Sequence, residues 1–159
     1  MVKALVAYFS PTGTTAQIAE RIAEAAEADL FEIVPEQPYT EAELDWHDNS
    51  SRSSLEMADE AARPAIATKV EDMGSYEVVY VGFPIWWYVE PRIIDTFLES
   101  YDFAGKRIVP FATSGGSGMG QAPEHMQQLC PDAKVKGARI FRPTDDNAIL
   151  YQWMAPFTH

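Results

Sequence analysis

The sequence predicts an α/β fold, a three-layer sandwich around a parallel sheet of about five strands, and three observations carry that prediction. Short apolar runs alternate with amphipathic segments from one end of the 159 residues to the other. The runs at residues 3–9 and 78–83 are apolar at nearly every position, so both faces of those strands require burial, as in a parallel sheet covered by helices. Repeated strand-helix-strand units then imply right-handed crossovers.

Each element has its own signal. The first strand spans 3–9. It leads into a helix over 16–28 whose Ile18, Ala19, Ile22, Ala25 and Ala26 recur at helical spacing. A second strand covers 30–34. The third, 78–83, precedes a helix that starts near Pro91, a favoured first-turn residue, and buries Ile93, Ile94, Phe97 and Leu98. The fourth, 108–112, contains Pro110, which is awkward in a central strand and predicts local irregularity. A helix over 121–130, a fifth strand over 135–141 and a last helix over 145–154 complete the series. Residues 35–67 break the rhythm. They are polar, acidic and too long for an ordinary connection, and read as an ordered decoration near the site.

Composition narrows the class. The length fits one domain over 1–159, with 47% apolar and 23% charged residues. The single cysteine, Cys130, permits no intrachain disulfide and favours a reducing, cytoplasmic setting. Nothing resembles a signal peptide, and no stretch is apolar enough to span a bilayer. The net charge of −12 argues against nucleic acid and anionic membranes as partners. It suits solubility, or steering toward a basic partner protein.

Three loops leave the carboxyl ends of strands one, three and four, where open parallel sheets bind ligands. The first is Ser10-Pro11-Thr12-Gly13-Thr14-Thr15. Hydroxyls and a glycine stand there before a helix whose first amides lack intrahelical partners and whose dipole is positive. This suits a phosphate held without a cation, although the same residues would also suit plain helix capping. The P-loop and GxGxxG patterns are absent. The second loop, Pro84-Ile85-Trp86-Trp87-Tyr88-Val89-Glu90-Pro91, offers flat aromatic faces, with one indole expected to plug the core and the other to face ligand. The third, residues 113–120, carries Thr113, Ser114, Gly115, Gly116 and Gly118, and permits close backbone approach to a planar edge. Together they describe a ligand with a phosphate at one end and a hydrogen-bonding ring at the other, which is FMN.

On these motifs the chain resembles the flavodoxins. Ser10, Thr12, Gly13 and Thr15 match S-x-T-G-x-T, and the two later loops look like those that flank the flavin. The resemblance implies strand order 2-1-3-4-5 and non-covalent FMN held by Ser10, Thr12, Gly13, Thr14, Thr15, Pro84, Ile85, Trp86, Trp87, Tyr88, Thr113, Ser114, Gly115, Gly116 and Gly118. Flavodoxins usually add a second aromatic in the strand-four loop. Its lack here suggests one open ring face, and the third-strand loop has no glycine. An FMN electron-transfer protein with a basic redox partner is the first reading. An FMN-dependent quinone or NAD(P)H-linked reductase, with Arg52 or His47 as lid contacts, is the second, and a non-redox binding module the third. Cys130 reads as a packed thiol. His47, His125 and His159 have no metal-ligand spacing to one another or to Cys130, and Ser10 lacks the hydrolase elbow.

Overall fold

Strand β1 (Ala4–Tyr8) is buried along its whole length because its neighbours cover both faces. The computed structural model describes residues 2–158, so His159 lies outside them. Leu5, Ala7 and Phe9 face one core, with Val79, Val81 and Phe83 beside them. Ala4, Val6 and Tyr8 face the other, with Val78 and Tyr80.

The sheet order is β2-β1-β3-β4-β5, with all ladders parallel, which bears out the expected topology. Here β2 is Asp29–Glu32, β3 Val78–Pro84 and β4 Arg107–Thr113, and β5 is Lys134–Val135. Helices α1 (Thr14–Ala26) and α5 (Asn147–Met154) cover one face through Ile18, Ile22, Leu150 and Met154. Helices α3 (Arg92–Glu99) and α4 (Ala122–Leu129) cover the other through Ile93, Ile94, Phe97, Leu98 and Met126. Pro91 is the N-cap of α3, one position outside the helix. Between β2 and β3 a short helix, α2 (Arg52–Ala58), sits in the 35–67 segment.

The fifth strand departs from expectation. Instead of one strand over 135–141 there are two pieces, β5 and β6 (Arg139–Ile140), both paired with β4. Gly137 between them adopts φ +74°. A Cβ there would stand 2.4 Å from the Phe157 ring, so the break is shaped by packing from the C-terminal segment. Pro110 explains the other side. The carbonyls of Ile108 and Ala112 accept from Lys136 and Phe141. Pro110 has the same parity and faces the gap, where no ladder donor is needed. The irregularity that Pro110 predicts thus falls in its neighbour, while β4 itself runs unbroken.

A second steric fit fixes the sheet centre. Gly82 pairs with Phe111, and a Cβ on Gly82 would come within 2.1 Å of the Phe111 ring. The phenyl group fills the space that a side chain would need. Among the described residues no helix is long and apolar enough to cross a membrane.

Candidate functional site

The first loop ends at Gly13, the N-cap of α1, with φ +89°. A left-handed residue there suits glycine, and glycine has no side chain to cap the helix. Helix α1 begins two residues earlier than its apolar spacing indicates, so Thr14 and Thr15 lie in its first turn. Ser10 Oγ accepts from the amide of Ala16 at 3.0 Å and folds the loop back over the helix. The helix start therefore offers amides and a positive dipole end to an anion, with Thr12 exposed beside it.

Two contacts draw the three loops together. Thr15 Oγ1 lies 2.8 Å from Thr113 Oγ1 in a buried hydrogen bond, which joins the first loop to the third. Phe9, just before the first loop, packs edge-on against Trp86 of the second, with ring centroids 5.7 Å apart. Beyond these contacts a cavity of about 460 Å³ opens between the second and third loops. Ile85, Trp86, Trp87 and Tyr88 line one side of it, and Ser114, Gly115, Gly116 and Ser117 the other. Within the third loop, Ser114 Oγ accepts from the amides of Gly116 and Ser117, which shapes the turn.

The two tryptophans differ in exposure, although both line the cavity. Trp86 is half-buried against Phe9 and Tyr39, while Trp87 and Tyr88 are exposed. The turn that presents them is unusual. Trp86 and Val89 exchange backbone hydrogen bonds of 3.0 and 3.1 Å, and Trp87 and Tyr88 have φ +49° and +66°. Positive φ at both central residues defines a type I′ turn, which Asn-Gly normally fills. Two bulky aromatics held there carry strain of the kind stored at functional sites.

The 35–67 segment packs on the second loop through Tyr39 and reaches the cavity through Trp46. Its ends are zipped together, with the Glu36 amide donating to Ala65 and the Ala67 amide to Val34. Tyr39 packs on Phe9 and Trp86, and its hydroxyl donates to Glu56 at 2.5 Å. Burial and the Glu56 carboxylate hold that hydroxyl protonated. Arg52 stacks over the Tyr39 ring at 3.8 Å and donates to Glu56 and to the Gln37 carbonyl. Arg52 thus braces the segment from within. His47 stacks on Trp46, with ring centroids 3.7 Å apart.

Trp46 is the residue that the sequence reading missed. It is 65% exposed and lines the same cavity as Trp86 and Trp87. The inserted segment thus brings a further aromatic side chain to the cavity. Nothing local in the run Glu43-Leu44-Asp45-Trp46-His47 signals this, because the contact is made across the fold.

A second cluster lies at the end of the second loop. Glu90 and Asp95 are 0% exposed, and His125 of α4 meets Glu90 through Nδ1. Burial pushes the carboxyls of both Glu90 and Asp95 up from their ordinary range, and for Asp95 the neighbouring Glu90 adds to the shift. Cys130 is buried, and its thiol is pushed up to about 11 by desolvation, as befits a packed thiol.

A family model described as Flavodoxin matches residues 3–156, and the chain belongs to the flavodoxin family. Among solved structures, a provisionally named flavoprotein from Bacteroides eggerthii is 46% identical, with a TM-score of 0.94 over 100% of this chain and 99% of that one. Another from Bacteroides uniformis is 47% identical, with a TM-score of 0.91 over 97% and 98%. A flavoprotein from Lactobacillus acidophilus, solved in complex with FMN, shares the fold at 22% identity and a TM-score of 0.71, over 96% and 99% of the two chains. No curated protein matches at a significant level.

Proposed function

We propose that this chain binds one FMN non-covalently and acts as an electron-transfer protein with a basic redox partner. The observation that carries the reading is the convergence of a helix start, where Ser10 caps only the Ala16 amide, and an aromatic cavity, joined by the Thr15–Thr113 hydrogen bond. FMN has a dianionic tail for the first and a flat ring for the second. When bound, it would supply reversible uptake of one or two electrons.

The residues present fit that group. Ser10, Thr12, Gly13, Thr14 and Thr15 would hold the phosphate by amides, hydroxyls and the helix dipole. Among the residues that line the cavity there is no Lys or Arg, so no cation competes for the tail at the ring end. Trp86, braced by Phe9 and Tyr39, would give a fixed wall. Ile85 lines the cavity beside Trp86, and Pro84 precedes it at the end of β3. Trp87, Tyr88 and Trp46 would offer aromatic faces along the outer side of the ring. Thr113, Ser114, Gly115, Gly116 and Gly118 would offer backbone amides to the ring edge, and the open space around these glycines leaves room for that approach. The net charge of −12 would disfavour added negative charge on the ring and would steer a basic reductase or acceptor toward the cavity.

An FMN-dependent quinone or NAD(P)H-linked reductase is the second reading. The open side of the cavity, bordered by exposed Trp87 and Tyr88, favours it. Anaerobic mixing of FMN-loaded protein with NADH or NADPH separates the two. The carrier reading expects slow bleaching by nicotinamide alone and fast bleaching once a basic flavodoxin reductase is added. Rapid bleaching by nicotinamide alone would establish the second reading, and a colourless protein that takes up no flavin would remove both.

A further inference from the structure

Glu90, Asp95 and His125 take no part in the cavity described above. They come from three places, the end of the second loop, α3 and α4. One ligand atom from each lies within 4.8 Å of the others. His125 Nδ1 contacts Glu90 Oε2 and stands 3.7 Å from Asp95 Oδ1. Both carboxylates are wholly buried, yet Glu90 Oε1, Asp95 Oδ1 and Asp95 Oδ2 have no hydrogen-bond partner. Buried carboxylate oxygens without donors are costly, so such atoms need an explanation.

The nearby arginines do not provide one. Arg92 and Arg63 approach Asp95 Oδ2 only to 3.6 and 3.9 Å. Arg63 has all three of its nitrogens committed elsewhere, while Arg92 commits Nε and Nη2 and keeps only Nη1 toward Asp95 Oδ2, beyond hydrogen-bond distance. Arg92 serves the carbonyls of Glu56 and Met57. Arg63 serves Glu99 and the carbonyls of Glu60 and Ala62. Burial favours a proton held between Glu90 and Asp95, which engages one oxygen of each. With His125 Nδ1 on Glu90 Oε2, one Asp95 oxygen still lacks a donor. A metal ion would displace the shared proton and take its place.

We propose that Glu90, Asp95 and His125 form a binding site for one divalent transition-metal ion of the zinc class. Two carboxylates and an imidazole suit Zn²⁺, Mn²⁺ or Fe²⁺ better than the all-oxygen cations or thiolate-seeking copper. Three protein ligands leave a fourth position for water, the pattern of an open site. The His125 side chain is 28% exposed, which provides entry and lets the ring move outward. A small outward movement would bring its contact with Glu90 to about 3 Å, the spacing of two ligands each about 2 Å from one ion. The two guanidiniums lie on the Oδ2 side of Asp95, so Oδ1 is left for the metal and the carboxylate is oriented from behind. An ion there would tie α3 to α4 beside the turn that presents Trp87 and Tyr88.

The test uses the full chain, stripped with chelator and dialysed against Zn²⁺ alone, with bound metal counted by mass spectrometry. The proposal expects one zinc per chain. His125→Ala and Asp95→Asn should each weaken binding at least tenfold, and His47→Ala should leave it unchanged. Co²⁺ in place of zinc should give visible bands typical of four or five ligands. Circular dichroism checks that each variant is folded; His125 is partly exposed, so its variant decides the matter if Asp95→Asn unfolds. Wild-type protein that retains no more zinc than His125→Ala would overturn the proposal, as would zinc lost through His47→Ala.

Discussion

Replacing Thr15 with valine keeps the shape of the side chain and removes one hydroxyl. In the folded chain that hydroxyl is buried and 2.8 Å from Thr113 Oγ1, which is buried too. Thr15→Val therefore leaves the Thr113 hydroxyl without its partner, at a cost of about 1–3 kcal/mol. For a chain of this length, 1 kcal/mol moves the melting temperature by about 2–4 °C, so flavin-free Thr15→Val should melt about 2–12 °C lower. Thr113→Val should cost a similar amount. Replacing both removes donor and acceptor together and should be nearly neutral, so the two losses must not add. Affinity for FMN should behave differently. A hydrogen bond to a charged group is worth about 1.5–3 kcal/mol, so a lost Thr15-phosphate contact should weaken FMN by about 10- to 150-fold. The double variant should regain stability and not affinity. Calorimetry of flavin-free protein gives the first quantity and fluorescence titration the second. Additive stability losses would refute the proposed link between the loops, and full-strength FMN binding by Thr15→Val would refute the phosphate role.

Trp46→Ala should weaken FMN by about 2- to 12-fold, the worth of one aromatic stacking partner, and leave the melting temperature nearly unchanged because Trp46 is largely exposed; unchanged affinity would take Trp46 out of the site. Gly82→Ala should destabilise by about 1–3 kcal/mol, because its methyl group would overlap the Phe111 ring. Thermal melts would detect it as a fall of about 2–12 °C. Tyr76 has its hydroxyl pushed up to about 12 by burial and by its hydrogen bond to Asp29. The folded chain then keeps a proton that the unfolded chain releases near pH 10, so stability falls as pH rises from about 10 to about 12. Tyr76→Phe should shallow that alkaline limb in pH-dependent melts, and an unchanged limb would count against the assignment.

The parallel sheet was legible because burial on both faces leaves a continuous apolar signature, as at 78–83, while its strand order came only from the resemblance carried by the three loops. The three loops were legible because their chemistry is local: hydroxyls, indoles and glycines stand next to one another in the chain. The broken fifth strand was not, because the bend at Gly137 depends on Phe157, twenty residues later. The start of α1 was misplaced by two residues, since Thr14 and Thr15 carry weak helical propensity and the cap is a glycine in the left-handed region. Trp46 and the Glu90-Asp95-His125 cluster were hidden for a common reason. Their partners lie tens of residues away, and neither a lone tryptophan in an acidic run nor a histidine without nearby ligands signals such an encounter.

FMN binding here requires a phosphate gripped at the start of α1 while a flat ring enters the aromatic cavity. Titrating flavin-stripped protein with FMN and, separately, with riboflavin tests that most directly, with tryptophan and flavin fluorescence read together. One FMN per chain should bind with quenching of both signals, and riboflavin, which lacks the phosphate, should bind at least tenfold more weakly. Equal affinity for the two, or binding that leaves the indoles unquenched, would contradict it.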